Sequence, residues 1–185
     1  MPDFRSSSHR QSVRAAFCGM AAALSAVIML LGGVIPAATY AVPMLCGLLL
    51  LPVLLEFGPK AAWTVYIAVS LLALMLGFDK EAAFFYIFMG YYPIVKWKIE
   101  RVPAKWKKLL IKIVLFSVSM GLMYGLLALL FPMAAFMQEF KEMGLWMTAA
   151  FAAMYLFCML AYDRLLLPLS MIYVNRIRPR FTFLK

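Results

Sequence analysis

A chain of 185 residues that is 66% hydrophobic and only 14% charged falls outside the range of soluble domains, which average about 45–50% apolar and 25% charged. The formal charge of +10 would point to nucleic acid in a soluble protein. Among apolar runs this long, the same cations point instead to anionic headgroups, so membrane lipids are the expected partner and nucleic acid is not.

Six apolar stretches are read in chain order, at 13–34, 40–57, 61–78, 82–95, 109–132 and 145–173. A crossing needs about 20 apolar residues, within a range of about 17–25. Residues 1–12 are polar, with Ser6, Ser7 and Ser8 in a row, and read as a disordered cytoplasmic tail. The first span opens with small residues on nearly every face, from Ala15 and Gly19 through Ala22, Ala23 and Ala26. It then turns bulky at Val27–Leu31 and ends at Gly32, Gly33 and Pro36. Its apolar run exceeds the roughly 7–15 residues of a cleaved leader, so it reads as a retained span. The first outer connection, 32–39, is uncharged; it either folds back into the bundle or makes a tight turn at headgroup level.

Span two carries Pro43 in its first turn and Pro52 in its interior, where proline bends a helix. Glu56, Gly58 and Pro59 close it. Glu56 and Lys60 are four apart, but the glycine and proline between them make helical pairing doubtful. Span three contains Trp63, Thr64, Tyr66 and Ser70. Asp79, Lys80 and Glu81 form an outer turn, with Asp79 placed to cap span four. Span four is short and includes Tyr86, Gly90, Tyr91, Tyr92 and Pro93, the proline ending or bending it. Span five contains Ser117, Ser119 and a Gly121-x-x-x-Gly125 pair of the kind that lets helices approach closely. Span six carries Tyr155, Tyr162, Asp163 and Arg164, and 176–185 is a basic cytoplasmic tail.

The charges orient this layout. Of the 18 Lys and Arg residues, all but Lys80 and Lys141 fall in the N-terminal tail, the second and fourth connections or the C-terminal end, or in the parts of the spans next to them, as Arg14, Lys112 and Arg164 do. Acidic residues divide evenly between the two sides. Short loops rich in Lys and Arg stay cytoplasmic, so both termini are expected inside. The expected fold is therefore an all-α membrane protein: one six-helix transmembrane bundle over 13–175, multi-pass in a bacterial plasma (inner) membrane.

Little in the sequence supports catalysis. No zinc-protease, nucleophile-elbow, phosphate-loop or dinucleotide signature occurs, and His9 is the only histidine. Neither a metal nor a cofactor is expected, and the chain is not read as an enzyme. Cys18, Cys46 and Cys158 lie singly in apolar runs and read as buried, reduced residues. Asp163 lies about 27 Å along span six, near its inner boundary. It is either a coupling group or a structural partner of a cation at that depth, such as Arg14 or Lys112.

Six spans in so short a chain, both ends inside and an alanine-rich first helix resemble the substrate-binding S component of energy-coupling-factor (ECF) vitamin transporters. Ala15-x-x-x-Gly19-x-x-x-Ala23 and Ala22-x-x-x-Ala26 are similar to the small-residue pattern with which that family's first helix docks on a coupling transmembrane subunit. Gly19 stands where the pattern has alanine. The resemblance implies partner docking at Ala15, Gly19, Ala22, Ala23 and Ala26, and an ATPase pair behind the coupling subunit. It also implies a small-molecule pocket in the outer half, capped by the first outer loop. There the chain offers Thr39, Tyr40, Phe84, Phe85, Phe88, Trp146 and Thr148, with Asp79 and Glu81 at the rim. The expected function is substrate capture in vitamin uptake. The alternative is a non-transport scaffold of cell-envelope assembly, since the fold also resembles MreD-type rod-shape proteins.

Overall fold

The structure, a computed structural model, describes residues 4–33, 40–76, 79–130 and 134–180. Within these, the side chains of 4–10, 127, 128, 130, 134–145, 147–149, 151, 152, 177 and 180 are not described. Its elements are α1 (Phe4–Gly32), α2 (Ala41–Leu76), α3 (Lys80–Met89), α4 (Tyr92–Ile99), α5 (Lys105–Leu130) and α6 (Ala134–Ile172). A π-helical turn (Tyr173–Ile177) and a 3₁₀ turn (Arg178–Arg180) follow, and no strand occurs among the described residues. Four helices are long and apolar enough to cross a membrane, at Gln11–Gly32, Ala41–Leu76, Lys105–Leu126 and Ala153–Arg176. Helix is what such a sequence must form in lipid, because hydrocarbon offers no partner for an open backbone N–H or C=O.

The chain forms two compact units: Met1–Trp97 with Pro168–Lys185, and Lys98–Leu167. The sequence reading expects one domain over 13–175. Helix begins at Phe4, within the stretch read as a tail.

In the first unit α2 is the organising element. Its 36 residues would extend about 53 Å as one straight rod. Gly58 breaks it, with φ 79° and ψ −179°, a backbone region essentially reserved for glycine. Pro59 follows and removes a further amide donor. The contacts show the chain folding back at this point. Tyr40, just ahead of α2, hydrogen-bonds Glu81, just beyond its end, at 2.6 Å, a proximity that a straight rod forbids. The segments 41–57 and 59–76 are therefore two helical arms, near the 40–57 and 61–78 stretches read from the sequence.

The 41–57 arm runs antiparallel to α1. Gly32 lies against Val42, Cys46 Sγ donates to the Ser25 carbonyl at 3.4 Å, and Phe17 meets Phe57 at 5.5 Å. A Cβ on Gly32 would come within 2.5 Å of the Val42 side chain, so glycine sets how closely these helices approach. The 59–76 arm buries one helical stripe, through Ala61, Ala62, Val65, Tyr66, Val69 and Ala73. It packs antiparallel to α3: Tyr66 Oη donates to the Ile87 carbonyl, and Trp63 stacks on Tyr91 at 6.3 Å. Lipid tails are as apolar as leucine, so this packing is held by dispersion and hydrogen bonds rather than by water exclusion. That is why Met20, Met75 and Leu71 can stand exposed.

The fourth expected span, 82–95, takes the form of two short helices. α3 has 10 residues and α4 has 8, each below the roughly 17 needed to cross alone. Pro93 explains the break, because it has no amide to bond Met89 and its ring crowds that carbonyl. The chain turns at Gly90–Tyr91, and the Gly90 amide returns to the Tyr86 carbonyl at 2.6 Å.

In the second unit α5 buries a narrow stripe, Lys112, Phe116, Ser119 and Met123, and α6 buries Met159, Tyr162, Asp163 and Leu166. Cys158 is exposed, contrary to the buried position expected for all three cysteines. It lies beside that stripe, on a face that carries exposed Phe157 and Met154.

The positive φ at Gly58 makes a direct test. Gly58→Ala is expected to lower stability by about 1–3 kcal/mol. Gly19→Ala, in regular helix with nothing within 4 Å of an added Cβ, should be neutral or stabilising by up to about 1 kcal/mol. Thermal unfolding of both variants in detergent would separate them, and equal midpoints would refute the strained reversal.

Candidate functional site

Three groups of residues carry the functional expectations: the small-residue face of α1, the rim around the start of α3, and the charged side chains near the ends of α2, α5 and α6. The α1 face divides. Ala15, Gly19 and Ala23 are exposed along one line of the helix, while Ala22 and Ala26 are half-buried. Ala22 packs with Phe17, Cys18 and Ala21 against the first unit's own core. Of the two registers read from the sequence, the one through Gly19 faces outward and the one through Ala22 serves internal packing. On α5, Ser117, Gly121 and Gly125 form a second exposed line of small residues.

At the rim, Asp79 caps α3 as expected, its carboxylate accepting from the Ala82 amide at 3.1 Å. A side-chain oxygen there satisfies one of the amides left open at a helix start. Lys80 Nζ donates to the Leu74 carbonyl at 2.8 Å. Tyr40 reaches Glu81 and also meets Phe85 edge-on at 5.4 Å. Phe84 is buried and Phe88 half-buried. Tyr40, Phe84, Phe85 and Phe88 thus belong to the first unit. Trp146 and Thr148 lie in the second unit, where Trp146 is 90% exposed. Thr39, and the side chain of Thr148, fall outside the described residues.

The charged groups near the helix ends form two ion-pair centres. In the second unit Lys112 donates to Asp163 at 2.7 Å and to Glu100 at 2.8 Å, and Lys108 adds a contact to Glu100 at 2.9 Å. Lys112 and Asp163 are both buried. Lys112 is one of the partners considered for Asp163. Glu100 lies outside the membrane-crossing helices. Hydrogen bonds from Lys112, and next from Lys108, hold its carboxyl below the ordinary glutamate value.

In the first unit Glu56 accepts from Arg178 Nε at 3.1 Å and from the Tyr173 hydroxyl at 3.5 Å. This centre ties the C-terminal turns to the residue two before the Gly58 reversal. The sequence reading places Glu56 beside Lys60 and has no signal for Arg178, 122 positions later in the chain. The π-helical Tyr173–Ile177 turn carries the chain from Tyr173 to Arg178, and both meet the same carboxylate oxygen.

Chemically, these centres neutralise charge. Among the described residues Glu56, Glu100 and Asp163 each meet a cation, Asp79 meets a helix amide and Glu81 the Tyr40 hydroxyl, and no three of His, Cys, Asp and Glu gather as a metal site. The chain matches no protein-family model, no curated protein and no solved structure.

Two measurements probe the second-unit centre. Lys112→Met is expected to cost about 3–5 kcal/mol by stranding buried charge, and adding Asp163→Asn should restore part of that loss. Additive losses in the double variant would show that the pair is not coupled. For Glu100, a depressed folded value means its stabilising contribution is complete above the ordinary carboxylate range and fades as pH falls through the depressed value. Glu100→Gln should flatten the acid side of the stability profile and leave the neutral-to-alkaline side parallel. An unchanged acid limb would contradict the assignment.

Proposed function

We propose that this chain is the membrane-embedded capture component of an ECF-type importer for a small molecule such as a vitamin or vitamin precursor. In this reading α1, the two arms of α2, α3 with α4, α5 and α6 make six crossings of a bacterial inner membrane, with both termini in the cytoplasm. The cation distribution supports that orientation. The observation that carries the reading is the exposed line Ala15–Gly19–Ala23 on α1. It is flat enough for a foreign helix to approach closely, and among the described residues nothing beyond its own helix backbone and chain neighbours lies within 4 Å of a Cβ at Gly19. Capture from outside would be followed by reorientation driven by ATP hydrolysis on partner subunits, with no chemical step on this chain.

One observation favours the scaffold reading, in which an MreD-like protein organises envelope assembly and captures no ligand. Tyr40 and Glu81, two of the few polar groups at the rim, are engaged with each other.

Affinity purification of the tagged chain from native membranes, with mass spectrometry of bound proteins and small molecules, tests both. The capture reading expects a coupling membrane subunit, an ATPase pair and a small-molecule ligand. Gly19→Leu with Ala23→Leu should abolish that assembly and leave the melting behaviour of the isolated chain intact. Envelope or cytoskeletal proteins in their place would establish the scaffold, and assembly surviving the double variant would refute docking through α1.

A further inference from the structure

We propose that the turn from Lys98 to Lys107 is a binding surface for the phosphate headgroups of anionic phospholipids. Four cations, Lys98, Arg101, Lys105 and Lys107, are exposed on this stretch of the second unit. Among the described residues none of the four has an ion-pair partner; the one carboxylate in the stretch, Glu100, is taken by Lys108 and Lys112. Local positive charge therefore remains uncompensated. Those two ion pairs also anchor the turn, which closes through Arg101 N–H to the Lys98 carbonyl at 3.3 Å and Val102 N–H to the Ile99 carbonyl at 3.1 Å. The cations are thus presented from a fixed backbone rather than a free tail.

What selects a lipid over a free anion is the gradient along α5. The cations occupy its first turn and the turn before it. Trp106, 85% exposed, stands between Lys105 and Lys107, at the level where aromatic rings straddle headgroup and chain. Beyond it Leu110, Val114 and Val118 are exposed along the same membrane-crossing helix. A phospholipid matches that order, with its phosphate on the cations and its acyl chain along the apolar face. Each Lys or Arg held near an anionic surface contributes roughly a fivefold gain in binding. The proposal does not depend on the import reading, since an importer and a scaffold would both carry this surface.

The test uses the purified full chain in micelles of an uncharged detergent, where membrane orientation has no influence. Short-chain phosphatidylglycerol, short-chain phosphatidylcholine or inorganic phosphate is added, and retained lipid is read by native mass spectrometry. Phosphatidylglycerol is expected to be retained at least about tenfold over phosphatidylcholine, with the preference shrinking as salt rises. The variant K98Q/R101Q/K105Q/K107Q should lose that preference. The variant R14Q/K60Q/R164Q/R176Q, which removes the same charge elsewhere, should keep it. Should the first quadruple variant not fold, R101Q/K105Q should still weaken the preference by roughly tenfold or more. Equal retention of the two lipids overturns the proposal, as does equal loss in both quadruple variants, which would reduce the effect to net charge. Displacement of phosphatidylglycerol by equimolar inorganic phosphate also overturns it, by showing a free-anion site.

Discussion

In hydrocarbon an open peptide group has no solvent to bond, and an isolated charge has none to shield it. The first constraint makes the chain helical. It also confines reversals to places where the backbone can leave the helix cheaply, and Gly58–Pro59 is such a place. The second constraint governs the buried ionic groups. Lys112 and Asp163 are buried together, and Glu56 is joined by Arg178 and Tyr173. Once both demands are met, helix association needs only close fit. Small residues supply that fit at Gly32, and an aromatic cluster supplies it around Tyr66.

These constraints distribute polarity unevenly. The polar side chains around the start of α3 serve the fold: Asp79 caps α3, Lys80 closes on the Leu74 carbonyl, and Tyr40 and Glu81 hold the start of α2 against the start of α3. The acidic groups near the other helix ends serve it too. Two exposed sets among the described residues underlie the proposals. One is a smooth line of small residues on α1, suited to another helix. The other is a set of exposed cations beside Trp106, suited to headgroups.

The helical class was legible before any coordinates, because apolar runs of about 20 residues admit few other structures. Four helices of the required length and character are present. The reversal near residue 58 was legible as well, since a glycine followed by a proline announces itself. The division of span four was only half legible. Pro93 gave a reason for a break, but two helices as short as 10 and 8 residues, the first packed against α2, were not readable from hydropathy. The candidate sites were less legible still. Alanines lie on several faces of the first helix, and the hydropathy of alanine is the same whether it meets lipid or protein, so sequence could not choose between the registers through Gly19 and Ala22.

The sequence by itself determined the apolar solvent its long segments suit and the helices that such a solvent enforces. These follow from local composition, and a residue's transfer energy does not depend on distant neighbours. Tertiary structure alone decided which charges meet. Lys112 with Asp163 and Glu56 with Arg178 join residues 51 and 122 positions apart, and nothing in either local stretch encodes the other's position. It also decided which line of α1 is exposed, because that depends on which face of α1 the 41–57 arm packs against.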